Sequence, residues 1–253
     1  MNASVPVKAA STVMLIREAE QLEVLMVRRH HKIDFMSGAM VFPGGKIEES
    51  DGDLGWADYA RGWDSVPESE RAARVAAVRE AFEESGVVIG AENSTASHAE
   101  MIETRKAIDA GTLPFLDFIK EQEITIDIGR LTLFSRWRTP PISPKRFDTF
   151  FFLAPVPADQ IAIHDGREAV ESEWVAPEEA LRLAEAGQRT IVFPTRMNLR
   201  LLASTSTLAD AVEAANKRAR TTVEPRIVTR DDKRYLQLDP EHGYGQVEEP
   251  LQL

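Results

Sequence analysis

The sequence predicts an α/β fold of the α+β kind, in which a mixed β-sheet is covered by helices. Three observations point there. Strand-like apolar runs and helical periodicity alternate irregularly along the chain, the helical segments end at Gly or Pro stop signals, and no fixed-period repeat is visible. The 253 residues, 43% hydrophobic and 28% charged, are enough to bury a substantial core and too apolar for a disordered chain.

Thr12-Val13-Met14-Leu15-Ile16 and Leu22 to Val27 are short apolar runs across a charged turn, which predicts a β-hairpin. A basic cluster from Arg28 to Lys32 follows, then a strand-like Ala39-Met40-Val41-Phe42 that ends at Pro43-Gly44-Gly45. Two glycines in succession mean a sharp turn or a close backbone approach. Asp51 to Pro67 has no sustained period and reads as a loop or short-helix insertion. From Ser69 to Ser85, Ala72, Val75, Ala76, Val78 and Phe82 recur at helical spacing, and Gly86 is a suitable stop.

Helices are expected at about 99–110 and 115–121, parted by Gly111 and Pro114. Strands return at Leu131–Phe134 and Phe147–Leu153 around a Pro-rich turn, with Phe147, Phe150, Phe151 and Phe152 expected in a buried strand. Glu171–Val175 reads as a strand, and Pro177 suits the first turn of a helix to Ala186. Helices at 194–203 and 208–219, a hairpin across Asp231-Asp232 and a mobile tail at 241–253 complete the reading.

Acidic side chains outnumber basic ones 41 to 30, a formal charge of -11, so the surface should repel extended nucleic acid. A small anionic substrate stays open, because bound divalent cations reverse the local sign of an acidic pocket. The absence of cysteine excludes disulfides, thiolate metal sites and a cysteine nucleophile. No run approaches a membrane span and the first residues lack a secretory pattern, so a soluble cytoplasmic protein is the expectation.

The chemistry concentrates in Arg79-Glu80-Ala81-Phe82-Glu83-Glu84-Ser85-Gly86-Val87. Glu80, Glu83 and Glu84 stand at i, i+3 and i+4, which puts three carboxylates on one helix face. Like-charge neighbours cost an exposed helix only about 0.2–0.5 kcal/mol each, so a solvated acidic face is the plain alternative. Mg²⁺ and Mn²⁺ favour such oxygen donors on a rigid element. Arg79 lies four residues before Glu83 and could hold that carboxylate.

With Gly45-Lys46-Ile47-Glu48-Glu49-Ser50-Asp51 before it, this helix resembles the box of the Nudix hydrolase family: a glycine-led half ending in glutamate, then Arg-Glu-aliphatic-x-Glu-Glu-x-Gly-aliphatic. Asp51 replaces the first glutamate and an insertion splits the halves, so Asp51 and Glu70 both stand as supports for the helix. The resemblance implies a Nudix fold spanning 8–240, with insertions at about 51–68 and 91–123, and hydrolysis of a diphosphate in a nucleoside derivative. It implies Mg²⁺ or Mn²⁺ on Glu80, Glu83, Glu84 and the Gly45 carbonyl, with Arg79 orienting them. The general base is left among Glu80, Glu168, Glu171 and Glu173.

Val27-Arg28-Arg29, Phe35 to Gly45, Arg136-Trp137-Arg138-Thr139-Pro140 and Arg146 to Phe151 resemble the coenzyme A diphosphatase-like, Nudix motif 19-type branch. That implies coenzyme A or acyl-CoA as substrate, with Arg28, Arg29, Lys32 and Arg146 toward its phosphates. An exposed strand end is the plain reading of Arg28-Arg29-His30-His31, and packing is the better reading of Trp56 and Trp63. ADP-ribose, dinucleotides or nucleoside triphosphates are alternative substrates, and a nucleotide-sensing module without catalysis is the alternative from another class. The resemblance also allows a homodimer.

Overall fold

A computed structural model describes residues 5–30, 37–91, 98–164 and 169–251. The first hairpin forms as expected, β1 (Val7–Glu18) pairing antiparallel with β2 (Leu22–Arg29). β3 (Met40–Val41) joins β2, and β4 (Gly44–Lys46) turns back to pair with β1. After the short β5 (Ala60–Arg61) come α1 (Arg71–Ser85), α2 (His98–Asp109), α3 (Phe115–Glu121) and β6 (Ile126–Asp127). Then follow β7 (Thr132–Arg138), β8 (Arg146–Pro155), β9 (Ala169–Val175), α4 (Pro177–Glu185), α5 (Phe193–Ala203), α6 (Leu208–Lys217) and β10 (Thr222–Val223).

The main sheet runs β10-β7-β8-β1-β2-β3, with β4 also on β1 and β9 on β2. β1 and β8 pair in parallel, Val7 opposite Arg146 through Ile16 opposite Pro155, so the sheet is mixed. Both faces are covered. Alternation along β1 and β2 sends Val13, Leu15 and Leu25 into the core under α1, and Met14, Ile16, Val24 and Met26 into the core under α4, α5 and α6. Phe152 and Phe151 divide the same way, whereas Phe147 and Phe150 are only half-buried.

The segment after Gly45 is short 3₁₀ turns, Glu49–Gly52 and Leu54–Asp58, leading into β5. β5 pairs in parallel with β6, Ala60 opposite Ile126, which ties the insertion within the carboxylate motif to the segment after α3. Trp56 and Trp63 are 1% and 7% exposed, so both pack, as read from the sequence.

The C-terminal hairpin is present as β11 (Arg226–Arg230) and β12 (Lys233–Leu238), and Asp231 and Asp232 take left-handed φ at its turn. Within the tail read from the sequence as mobile from 241, Val247–Pro250 forms β13 against β12, and Glu249 pairs with Arg200 at 3.1 Å and with Arg196. The sequence there has no alternating pattern. Backbone pairing, the burial of Val247 and those ion pairs supply the order instead. Among the described residues, no helix is long and apolar enough to cross a membrane.

Candidate active site

α1 is enclosed. Every residue from Ala73 to Ser85 except Glu83 is buried, and the helix stops where Gly86, at φ 76°, donates its N–H to the Phe82 carbonyl at 2.8 Å. On its outer side Phe82 stacks on Phe118, with ring centres 5.1 Å apart, and on Phe115 at 5.9 Å, while Trp56 closes on Phe115 at 5.6 Å. The insertions therefore clamp the helix against the sheet.

Within this enclosure one guanidinium serves three carboxylates. Arg79 donates from Nε and Nη2 to the two oxygens of Asp51 at 2.9 and 3.0 Å. Its Nη1 donates to Glu80 at 2.8 Å and to Glu83 at 3.1 Å, and Nη2 also reaches the Lys46 carbonyl at 2.8 Å. Asp51 in turn accepts the Glu48 N–H at 2.8 Å. The choice the sequence left between Asp51 and Glu70 falls to Asp51: Glu70 is bound by Arg74 at 2.7 Å and by Arg220 at 3.4 Å.

The charge balance of this cluster is negative. Burial pushes the Asp51 carboxyl above its ordinary range even though Arg79 pulls it down. Burial also raises Glu80 and Glu83 against the pull of Arg79; Asp51 and Glu83 add to the rise at Glu80, and Asp109 and Glu48 to that at Glu83. Burial disfavours the charge on Arg79, yet Asp51, Glu80 and Glu83 together hold it above its ordinary value. These directions agree, because three acids sharing one cation stabilise it fully while each remains only partly compensated.

Glu84 is held differently, accepting the Gly44 N–H at 3.3 Å. Gly45 packs on Glu80 so closely that a Cβ there would come within 2.7 Å of the carboxyl carbon and 2.8 Å of Oε2. The glycine turn predicted from Gly44-Gly45 is thus a close approach to the carboxylate helix. An excess of buried carboxylates beside a side-chain-free backbone suits a hard divalent cation, whose charge would meet the unbalanced acids.

The other predicted residues are scattered. Strand alternation puts Arg28 on the face of Val24 and Met26, away from Leu25 and α1, and the register of β2 against β9 shifts between Arg28 and Arg29, where Arg29 stands opposite Ala169. Arg28 pairs with Glu171 at 2.9 Å, and Arg189 pairs with Glu171 at 3.6 Å and Glu173 at 2.8 Å. Glu171 and Glu173 lie opposite Arg28 and Met26 on β9, so they share the face away from α1. Arg28, read from the sequence toward the substrate phosphates, and Glu171 and Glu173, read as general-base candidates, thus lie on the face away from α1. Arg146 is likewise engaged, donating to the Thr139 carbonyl at 3.1 Å and to Glu224 at 3.3 Å. The Nε of Arg29 is buried and finds no acceptor among the described residues. Lys32, His31 and Glu168 lie outside the described residues.

Sequence reasoning missed Arg105, whose Nε and Nη2 donate to the Glu83 carbonyl at 3.0 and 2.9 Å. Its available signal was a basic side chain in the helix following the Gly86 stop, which says nothing of its target. Among the described residues, three potential ligand side chains converge within 4.8 Å of one another at Asp239, Glu241 and His242, but Asp239 is taken by Arg226 at 2.6 Å.

A carboxylate helix packed on a glycine turn across a mixed, two-faced sheet defines a Nudix-fold protein. A crystal structure of a Nudix hydrolase from Alicyclobacillus acidocaldarius superposes with a TM-score of 0.73 at 27% identity, covering 83% of this chain and 97% of that one. The general Nudix domain model matches residues 6–106. A second model, described as the NUDT19 Nudix domain, matches residues 57–202, and the chain belongs to that family. It is 29% identical to the acyl-coenzyme A diphosphatase NUDT19 of Xenopus laevis over 205 residues, 63% of this chain and 54% of the relative. It is 30% identical to putative nudix hydrolase 7 of Caenorhabditis elegans over 188 residues, 74% of this chain and 57% of the relative. The chain thus spans little more than half the length of these curated relatives.

Proposed function

We propose that this chain is a divalent-metal-dependent Nudix hydrolase that cleaves the diphosphate linkage of a nucleoside derivative, with coenzyme A or an acyl-CoA as its substrate. One observation carries the reading: Asp51, Glu80 and Glu83 share the one buried guanidinium of Arg79 beside Gly45, an arrangement that sets three carboxylates against one cation in a poorly solvated place. The relatives named acyl-coenzyme A diphosphatase support the substrate.

In this reading Glu80, Glu83, Glu84 and the Gly45 carbonyl hold Mg²⁺ or Mn²⁺. Bound there, the ion would neutralise the diphosphate and lower the pKa of a water nucleophile. Arg79 fixes the carboxylates, and Asp51 fixes Arg79. Glu80, packed against the Gly45 backbone and held by Arg79, is the carboxylate we assign as general base. Arg29 is the arginine we assign to the substrate phosphates, since its buried Nε has no acceptor among the described residues. The ties of the 51–68 insertion to α3 and β6 favour a single domain over about 8–240.

The test is product analysis. The pure protein is incubated with coenzyme A, acyl-CoA, ADP-ribose, dinucleotides and nucleoside triphosphates, with Mg²⁺ or Mn²⁺. Release of adenosine 3′,5′-bisphosphate and a 4′-phosphopantetheine product is expected. Turnover of another diphosphate alone would remove the coenzyme A assignment, and tight nucleotide binding without metal-stimulated turnover would replace the hydrolase with a sensor.

A further inference from the structure

The last turn of an α-helix leaves carbonyls without amide partners, and those at the end of α1 are satisfied from three different parts of the chain. The Phe82 carbonyl accepts the Gly86 N–H at 2.8 Å, the Ser85 carbonyl accepts the Ile163 N–H at 2.9 Å, and the Glu83 carbonyl takes both donors of the Arg105 fork. Arg105 is 4% exposed, and its Nη1 would lie 3.4 Å from a Cβ at Gly86, so the left-handed glycine leaves the guanidinium its space.

We infer that Arg105 is a positioning residue for Glu83, fixing from the backbone side the carboxylate that Arg79 fixes at its tip; this rests on the metal-dependent hydrolase proposed above. The carbonyl and the carboxylate belong to one residue, so anchoring the first limits where the second can travel. Glu83 is also the one residue between Ala73 and Ser85 that is not fully buried, and so has the least packing to hold it. A cation at a helix C-terminus is in addition favoured by the helix dipole, which resists fraying of the turn that carries Glu83 and Glu84. A displacement of about 1 Å can cost about 100-fold in rate.

The full chain is compared as wild type, R105K and R105A, by Mn²⁺ binding isotherms and by steady-state kinetics with coenzyme A. R105A is expected to lower kcat and weaken Mn²⁺ binding, each by about 10-fold or more, with KM changed by less than about twofold and R105K recovering part of both losses. Wild-type kcat and Mn²⁺ affinity in folded R105A would overturn the inference. Should R105A fail to fold, R105K decides, because it keeps the charge and loses the fork: wild-type values in R105K would overturn it equally. If the wild type binds Mn²⁺ but turns over no coenzyme A, the substrate reading fails, while the isotherms still judge Arg105.

Discussion

Two groups of glutamates in this molecule are held by arginines, one on α1 and one on β9, and they differ in how much water surrounds them. The side chains of Asp51, Glu80 and Arg79 are 2%, 10% and 5% exposed, whereas Glu171 and Glu173 are 38% and 28% exposed and Arg189 is 24%. On β9 two arginines, Arg28 and Arg189, meet two glutamates, so charge is balanced and solvent screens what remains. On α1 one arginine meets three acids in a poorly solvated setting. The same residue types therefore make a surface brace in one place and a buried cluster with more acid than base in the other.

Breaking the buried cluster should produce the largest effect. Asp51→Ala leaves two donors of Arg79 unpaired in the interior and is expected to lower stability by about 3 kcal/mol. It should also reduce kcat by about 10- to 100-fold, as loss of a residue that orients ligands does. Chemical denaturation and steady-state kinetics check both; a variant with wild-type stability would show that Asp51 is not the support of Arg79.

Asp148 sits between the two extremes, 8% exposed and bound by Arg136 at 2.7 Å and Arg138 at 2.6 Å. Burial pushes its carboxyl up, but the hydrogen bonds and charges of the two arginines outweigh it and hold the group below its ordinary range. A carboxyl lowered by folding stabilises the protein above its unfolded pKa and ceases to do so as the pH falls through the folded value. Because both arginines are more than a third exposed, Asp148→Asn should cost only about 1 kcal/mol at neutral pH. The difference from wild type in urea midpoint should shrink below the ordinary aspartate range; a difference independent of pH would contradict the ion-pair account.

The smallest effect is expected on β9. Glu173→Gln should change stability by less than about 1 kcal/mol and leave metal-stimulated turnover within about twofold. A large loss of kcat there would move the general base to β9 and dissolve the contrast.

Much of this was legible in the sequence, for reasons that differ by element. The period of Ala72 to Phe82 and the Gly86 stop are local signals, and they fixed α1 to within two residues at its start. Glu80, Glu83 and Glu84 were legible because helical spacing converts sequence separation into a shared face. Strand faces were not: Arg28 and Arg29 are adjacent in sequence, and only the pairing of β2 with β9 sets Arg28 opposite Glu171 and Arg29 opposite Ala169. The partner of Arg79 depended on how the insertion folds back, a contact across 28 positions that no local pattern encodes. Arg105 was hidden for the same reason, since its target is a main-chain carbonyl and carries no residue identity. β13 was missed because Val-Glu-Glu-Pro lacks alternation, its order coming from β12 and α5.

In the proposed function the carboxylates of α1 bind a divalent cation and drive diphosphate hydrolysis with it. Mn²⁺-dependent hydrolysis of the best substrate, measured side by side for wild type, Glu84→Gln and Glu173→Gln, tests it most directly. Glu84→Gln is expected to stay folded and lose more than about 100-fold in kcat with weakened Mn²⁺ binding, while Glu173→Gln stays near wild type. Full metal-dependent turnover in folded Glu84→Gln would contradict the account.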